Sequence, residues 1–302
     1  MAILPKIIAV VGPTASGKTA LSISLAKKYN GEIVSADSRQ IYRGMNIGTA
    51  KISVSEQENI PHHLIDIKNP DEEYSVADYQ RDASAAIRSI LPKNKLPLLV
   101  GGTGLYIDAV LENLDIPKTK ADPELRTKIE KDIAENGLAA VFKKLVERDP
   151  EAAYVVDPKN PRRVVRALEV AILTGEPFTA QRKKNGPLFD ALKIGINPPP
   201  AILRERIGLR ADLMIQDGLI DEVETLAKKY GTACMAFDSI GYREIIGYLD
   251  GRLSLDQAVA AIRLNTWHYA KRQMTWFKKD KKIRWISDEK EADRLVADFL
   301  EK

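Results

Sequence analysis

The sequence predicts an α/β fold: a mainly parallel sheet covered by helices, with an all-helical domain inserted into it. Three observations carry that prediction. Short apolar runs alternate with helix-patterned segments, a glycine-bounded turn joins the first run to the first helical pattern, and the alternation stops between residues 118 and 190. Strands that alternate with helices favour parallel pairing, because each crossover helix returns the chain to the start of the next strand.

Taken in order, Ile7–Val11, Glu32–Ser35, His63–Ile67, Leu98–Val100, Leu192–Ile196 and Ile283–Ile286 read as strands, and Thr19–Tyr29, Val76–Leu91 and Leu203–Lys229 as helices. Within 118–190 the pattern is one of short helices, Pro123–Glu135, Leu138–Val146, Glu151–Val155 and Pro161–Leu173. Asp122-Pro123 puts proline just inside a helix start, and Gly137, Pro150, Pro158 and Pro161 punctuate the rest. The expected organisation is therefore a core of residues 1–117 and 191–302 with a helical insertion, 118–190. Asn197 and the three prolines Pro198–Pro200 form a stiff lead into the next long helix.

Composition narrows the class. A chain of 302 residues with 44% hydrophobic and 29% charged residues has the make-up of a soluble globular protein. No apolar stretch approaches the ~18–20 residues needed to span a bilayer, and Met1–Lys6 runs straight into the first strand, leaving no room for a signal peptide. Cys234 is the single cysteine, which excludes intrachain disulfides and a cysteine-based zinc site. A cytoplasmic location, no membrane partner and a monomeric state are expected. The net charge of +4 permits a nucleic-acid partner without requiring one.

Gly12-Pro13-Thr14-Ala15-Ser16-Gly17-Lys18-Thr19 is G-x-x-x-x-G-K-T in the context that gives it meaning, after a buried strand and before a helix. Backbone amides of such a loop converge on phosphate, Lys18 adds a point charge at the terminal phosphate, and the Thr19 hydroxyl can ligate magnesium. The expected fold is thus of the P-loop NTPase-like kind. Asp37, within Ser35–Gln40 at the end of the second strand, falls on the same edge and is placed either to bind magnesium or to accept a proton from an attacking group. After the strand at Leu98–Val100 stand Gly101-Gly102-Thr103-Gly104, where glycines and a hydroxyl allow close approach to a ligand. An ATPase or nucleotide kinase would more often end that strand with a magnesium-organising acid. His62 and His63 are adjacent on an extended segment and point to opposite faces, which argues against their chelating one ion.

Two basic zones suggest a large polyanionic substrate. One runs from Arg263 through Lys271, Arg272, Lys278, Lys279, Lys281 and Lys282 to Arg284, interleaved with Trp267, Tyr269, Trp276 and Phe277. The other lies in the insertion at Arg162, Arg163 and Arg166, then Arg182-Lys183-Lys184. Rings that stack on bases beside cations that hold phosphates are the chemistry of RNA binding.

Between Ile7 and about Lys279 the chain resembles the tRNA dimethylallyltransferases (tRNA isopentenyltransferases) of the bacterial type. The likeness rests on GPTASGKT, Asp37–Lys51, HHLID at His62–Asp66, Tyr74–Tyr79, LVGGTGLY at Leu99–Tyr106, Asn160–Val170, SIGYRE at Ser239–Glu244 and AKRQMTWF at Ala270–Phe277. It implies transfer of a dimethylallyl group from dimethylallyl diphosphate to the exocyclic amine of the adenosine 3′ of the tRNA anticodon. By resemblance Asp37 orients that amine and takes its proton, Thr103 is its neighbour at the same amine or at the departing phosphate, and Arg206 or Arg210 contacts the diphosphate. Family segments that touch tRNA correspond to Asp37, Ser38, Arg39 and Gln40, to Pro161, Arg162, Arg163, Val164 and Val165, and to Asp238, Ser239, Ile240, Gly241, Tyr242 and Arg243; Thr103, Lys271 and Arg272 join them. Magnesium is the implied cofactor. The chain departs from the family at Thr266–Tyr269, where an arginine commonly precedes AKRQ by two or three residues.

Overall fold

The computed structural model describes residues 4–116, 122–181 and 185–301. Six parallel strands form one sheet: β1 Lys6–Val11, β2 Gly31–Ser35, β3 His62–His63, β4 Leu96–Gly101, β5 Asp190–Ile196 and β6 Arg284–Ile286. Their order across it is β3-β2-β4-β1-β5-β6. Ile7 to Val11 are fully buried because β1 is flanked on both sides, by β4 and by β5, and covered on both faces. That explains an unbroken apolar run rather than an alternating one.

Helices α1 (Lys18–Lys28) and α12 (Glu289–Glu301) cover one face, where Leu21, Leu25, Ala292 and Val296 pack on Ile8, Val10 and Leu98. Helices α2 (Val76–Ile90) and α3 (Gly104–Leu111) cover the other, where Tyr79, Ala83, Ile87 and Ile107 meet Ala9, Val11 and Val34. A reciprocal capping box fixes the start of α2. The Ser75 side chain accepts from the Asp78 amide, and the Asp78 carboxylate accepts from the Ser75 amide.

The third strand is shorter than expected. Only His62 and His63 pair with Ile33 and Val34. Leu64 and Asp66 then take φ of 63° and 55°, left-handed conformations that end a ladder. The segment instead folds onto the turn after β2, where the Ile67 and Lys68 amides donate to the Ile41 carbonyl at 2.9 and 3.0 Å. The two histidines diverge, as their spacing requires. His62 Nδ1 meets the Ile60 carbonyl at 2.8 Å, while His63 Nε2 meets Glu32 at 2.8 Å. No cluster of three or more metal-ligating side chains exists among the described residues.

The expected helix over Leu203–Lys229 is two helices, α8 (Pro200–Gln216) and α9 (Leu219–Tyr230). Gly218, at φ 96°, breaks it, a conformation open to glycine and costly for other residues. With α10 (Tyr242–Leu249) and α11 (Leu255–Phe277) these helices share a second core around Ile41, Met45, Leu219, Phe237 and Tyr242. None of the described helices is long and apolar enough to cross a membrane.

The chain divides into two compact units, Met1–Leu111 with Leu188–Lys302, and Glu112–Pro187. The second unit therefore begins directly after α3, six residues before the expected boundary at 118. It holds α4 (Pro123–Asn136), α5 (Leu138–Arg148), α6 (Ala152–Val155) and α7 (Pro161–Thr174) around Ile129, Val141, Leu145, Val164 and Leu168. Glu169 is fully buried at its centre and accepts from Arg126, Arg166 and the Asp122 amide. Arg166, read from sequence as part of a basic face, is thus engaged inside the unit. Arg182, Lys183 and Lys184 lie outside the described residues.

A buried charge on β2 yields a stability prediction. Glu32 is 2% exposed, and its carboxylate faces His63, Lys93 and Lys95. Burial alone would raise its pKa, but hydrogen bonds from His63, Lys95 and Lys93 outweigh that and hold it at about 2. A carboxyl depressed on folding stabilises above its unfolded pKa and loses that contribution as pH falls towards its folded one. Glu32→Gln should cost about 1–3 kcal/mol at neutral pH. It should also flatten the loss of stability between about pH 4.5 and about pH 2 seen in the wild type. Denaturant melts across that range read both effects, and parallel wild-type and variant curves would refute them.

Candidate active site

All strands of a parallel sheet end at the same edge, and β1, β4 and β2 lie side by side within it. Their exits carry the Gly12–Thr19 loop, the Gly101–Gly104 turn and Asp37. The three predicted groups therefore converge on one spot. Gly12 starts the loop at φ 149°, and a Cβ there would stand 2.6 Å from the Ile196 carbonyl of β5. Ala15 (φ 61°) and Gly17 (φ 98°) complete a loop whose concave side faces the start of α1.

Within that loop Lys18 Nζ donates to the Pro13 carbonyl at 2.7 Å. Its pKa is pushed down to about 8, chiefly by burial, while the Asp37 carboxylate opposes the shift and the Arg210 charge adds to it. Arg206 and Arg210, one turn apart on α8, both reach the loop. Arg206 Nη1 donates to the Ser16 carbonyl at 3.4 Å and Arg210 Nη1 to Thr14 Oγ1 at 3.2 Å. The sequence left a choice between them, and the geometry brings both to the loop. Ser16 Oγ is buried without a hydrogen-bond partner among the described residues, a polar group of the kind a bound oxyanion satisfies.

Asp37 closes an Asx turn in which its Oδ1 accepts from the Arg39 and Gln40 amides at 2.8 and 3.3 Å. Thr103 is tied to the residues on either side of Asp37. The Ser38 amide donates to Thr103 Oγ1 at 3.2 Å, and the Thr103 amide donates to the Ala36 carbonyl at 3.2 Å. Tyr269 of α11, a residue that sequence reasoning did not assign to the site, stands within electrostatic reach of Asp37; burial and the Asp37 charge push its phenol up to about 12.

The glycines of the Gly101–Gly104 turn have a different purpose from the one expected. A Cβ on Gly101 would stand 2.1 Å from the Ala36 carbonyl oxygen, one on Gly102 2.1 Å from Gln273 Nε2, and one on Gly104 2.3 Å from the Trp276 ring. They leave room for Ala36, just past β2, and for Gln273 and Trp276 of α11. Gln273 was likewise missed, although it lies in the AKRQ segment.

The segments expected to touch tRNA divide by exposure. Arg162 and Arg163 are exposed at the start of α7, but Val164 and Val165 are buried in the core of the helical unit. In the stretch 238–243, Asp238 and Arg243 are exposed, whereas Ser239 and Tyr242 are buried and Tyr242 donates to Glu222 at 2.5 Å. The direct side-chain contacts expected of Val164, Val165, Ser239 and Tyr242 are corrected accordingly: the first two and Tyr242 lie on the inward faces of α7 and α10, and the Ser239 hydroxyl bonds the Ala236 carbonyl. Lys271 and Arg272 are exposed on α11 and lie near the Trp267 and Tyr269 rings, with no carboxylate partner among the described residues. The Arg204 guanidinium from α8 stands 4.4 Å over the Trp267 ring, in the Thr266–Tyr269 stretch where the chain departs from the family pattern.

A phosphate loop reached by two arginines of α8, beside an acid and a hydroxyl, is the arrangement of a phosphate-loop enzyme. The comparisons specify which. The family model described as IPP transferase matches residues 40–280, and that described as isopentenyl transferase matches residues 5–71. The chain belongs to the IPP transferase family. It is 47% identical over 274 residues to a tRNA dimethylallyltransferase of Roseiflexus sp. (strain RS-1), covering 90% of each chain. Its structure is similar to that of the tRNA isopentenylpyrophosphate transferase of Bacillus halodurans, with TM-score 0.72, 41% identity, and coverage of 98% and 95%. It is also similar to a eukaryotic dimethylallyltransferase acting on tRNA, with TM-score 0.78, 28% identity, and coverage of 98% of this chain and 77% of that one.

The depressed Lys18 pKa makes a pH prediction. A cation with a lowered pKa is lost as pH rises through it, so affinity for dimethylallyl diphosphate should weaken above about pH 8. Lys18→Arg, which stays charged, should lose that step. Calorimetric titrations from about pH 7 to about 9.5 decide it. A wild-type curve flat to the upper limit would mean that the ammonium stays charged throughout.

Proposed function

We infer that this chain transfers a dimethylallyl group from dimethylallyl diphosphate to the exocyclic amine of the adenosine immediately 3′ of the anticodon in tRNA, releasing diphosphate. The observation that carries the reading is the convergence of the phosphate loop, both α8 arginines, Asp37 and Thr103 at one edge of the sheet. In the displacement the amine nitrogen forms a bond to the allylic carbon, and the carbon–oxygen bond breaks. The diphosphate departs with the electron pair, and the amine gives its proton to Asp37.

Each group has a distinct task. Lys18, Arg206, Arg210 and the loop amides neutralise charge that grows on the leaving diphosphate. An adenine amine is a weak nucleophile, because its lone pair is conjugated with the ring. A carboxylate within hydrogen-bond reach orients it and accepts the proton. With Oδ1 engaged in the Asx turn, Asp37 keeps Oδ2 for this purpose. The adenine must leave its loop stack to reach Asp37.

Magnesium fits the chemistry of this edge. The Thr19 hydroxyl, exposed on the first turn of α1, and the diphosphate oxygens form the hard-oxygen set that magnesium takes up together with water. When bound it would neutralise part of the leaving-group charge. Exposed Arg162, Arg163, Lys271 and Arg272 would hold tRNA phosphates, with Arg39 and Gln40 beside the acceptor.

Incubation with dimethylallyl diphosphate and unmodified tRNA, followed by nucleoside analysis, tests the reading. Dimethylallyl-adenosine is expected, and ATP turnover without prenyl transfer would replace it with a kinase. Asp37→Asn retains the turn acceptor and removes the base, so single-turnover transfer at saturating tRNA should fall about 10²- to 10⁴-fold. A drop below about fivefold takes Asp37 out of the role.

Charge neutralisation tests the RNA surface. Replacing Arg162 and Arg163, or Lys271 and Arg272, by glutamine should reduce the log–log salt slope of tRNA binding by about 0.7–0.9 for each phosphate no longer neutralised. Dimethylallyl diphosphate affinity should hold. Loss of thermal stability with an unchanged slope would remove that pair from the surface.

A further inference from the structure

We propose that Gln273 is a positioning residue for the transfer, a buried carboxamide that fixes the distance between the loop holding the donor diphosphate and the turn holding the acceptor. This rests on the function inferred above and extends it to a residue distant from both ligand-binding motifs in sequence.

Gln273 is 6% exposed. Its Oε1 accepts from the Thr14 amide at 2.8 Å, and its Nε2 donates to the Gly102 carbonyl at 2.9 Å. The partners set the orientation of the amide, because an N–H can only donate and a carbonyl can only accept. One side chain therefore bonds the loop after β1 to the turn after β4, at the edge where Asp37 and Thr103 stand. Gly102 is bare where Nε2 approaches, and a Cβ there would lie 2.1 Å from it.

Gln273 does not act from a loose helix. Tyr269, Gln273 and Trp276 follow each other at i, i+4 and i+7, on one face of α11. Trp276 Nε1 donates to Asp108 at 2.9 Å and its ring fills the space over Gly104. The stripe is thereby anchored to the segment from Gly101 to Asp108, and the carboxamide one turn earlier reaches across to the phosphate loop.

In-line displacement requires the allylic carbon and the amine to meet within about 3–3.5 Å, and an ångström of misplacement can cost about a hundredfold in rate. The donor is held by the phosphate loop and the acceptor by Asp37 and Thr103, so the Thr14–Gln273–Gly102 bridge sets their separation. A carboxamide is the group that supplies an acceptor and a donor at one end. Glutamate offers two acceptors, one of them against the Gly102 carbonyl, and methionine offers neither bond.

The test uses the full chain with Gln273→Glu, close to isosteric, and Gly102→Ala, which presses on the amide from the other side. Wild type and variants are compared for kcat, for KM of each substrate, for dimethylallyl diphosphate affinity without tRNA and for thermal midpoint, with rates taken per folded molecule. At saturation of both substrates kcat should fall about 10- to 100-fold. Both KM values and the diphosphate affinity should stay within about threefold, because the donors that bind each ligand are retained. A kcat within about threefold of wild type in either folded variant, or a loss confined to KM, overturns the proposal. Absence of transfer by the wild type would overturn the functional reading and this one with it, and is told apart because it does not depend on the substitution.

Discussion

Parallel pairing of β1, β4 and β2 is the constraint on which the site depends. Strands that run the same way expose their carboxyl ends together, so the loops leaving neighbouring strands meet one another. The phosphate loop and Asp37 lie one strand spacing to either side of the Gly101–Gly104 turn, although all three are well separated in sequence. Burial of Ile7–Val11 on both faces holds the register that makes this so. The hydrophobic effect thus positions a polar site without contributing an atom to it.

Strand exits alone leave the loops free to differ in height and tilt. Helix α11 supplies the second constraint: Trp276 bonds Asp108 and packs over Gly104, and Gln273 bonds both the turn after β4 and the phosphate loop. Its remaining surface exposes Lys271 and Arg272, so the side of the helix inferred to meet RNA and the side that grips the active-site loops belong to one rigid element. The cationic patch around Trp267 is likewise composite. Arg204 of α8 reaches it from the helix that also carries Arg206 and Arg210 to the loop. The exposed cations of this patch and the two arginines that reach the phosphate loop therefore sit on the same two helices.

Much of this was legible in the sequence, for identifiable reasons. G-x-x-x-x-G-K-T between an apolar run and a helix fixes its own geometry, and so located the loop. Asp37 and Thr103 were legible because strand ends in a parallel sheet converge. The features that escaped depend on tertiary partners. Gly101, Gly102 and Gly104 read as space for a ligand, yet Ala36, Gln273 and Trp276 occupy that space. Arg166 reads as a surface cation, yet Glu169 is buried beneath it. The break between α8 and α9 could have been found from Asp217-Gly218 alone, since glycine past the last periodic residue is a helix-stop signal. The shortness of β3 had no comparable signal, because non-glycine residues take the left-handed conformations at Leu64 and Asp66.

The SIGYRE segment shows why a motif tied to tRNA by resemblance need not be a contact surface. Tyr242 is fully buried, and its hydroxyl donates to Glu222 of α9. The same carboxylate accepts from the amides of Asn46, Ile47 and Gly48 at 2.9, 2.8 and 3.2 Å. Charge-assisted bonds of this kind are roughly twice as strong as neutral ones, and three successive amides on one carboxylate leave a backbone little freedom. The loop so held extends to Thr49 and Ala50, whose carbonyls accept from Gln40 Nε2 at 3.4 and 3.3 Å. It then reaches Lys51, which donates to the Tyr42 carbonyl at 2.6 Å and to Asp66 at 2.5 Å. Through these links Tyr242 supports the turn that carries Asp37 without facing solvent itself. Helix α11 thus braces the phosphate loop and the turn after β4, while α9 and α10 brace the turn that carries Asp37. Gln273 and Glu222 take backbone partners in the loops they hold, so those backbones are fixed while the loops' own side chains remain available to the ligands.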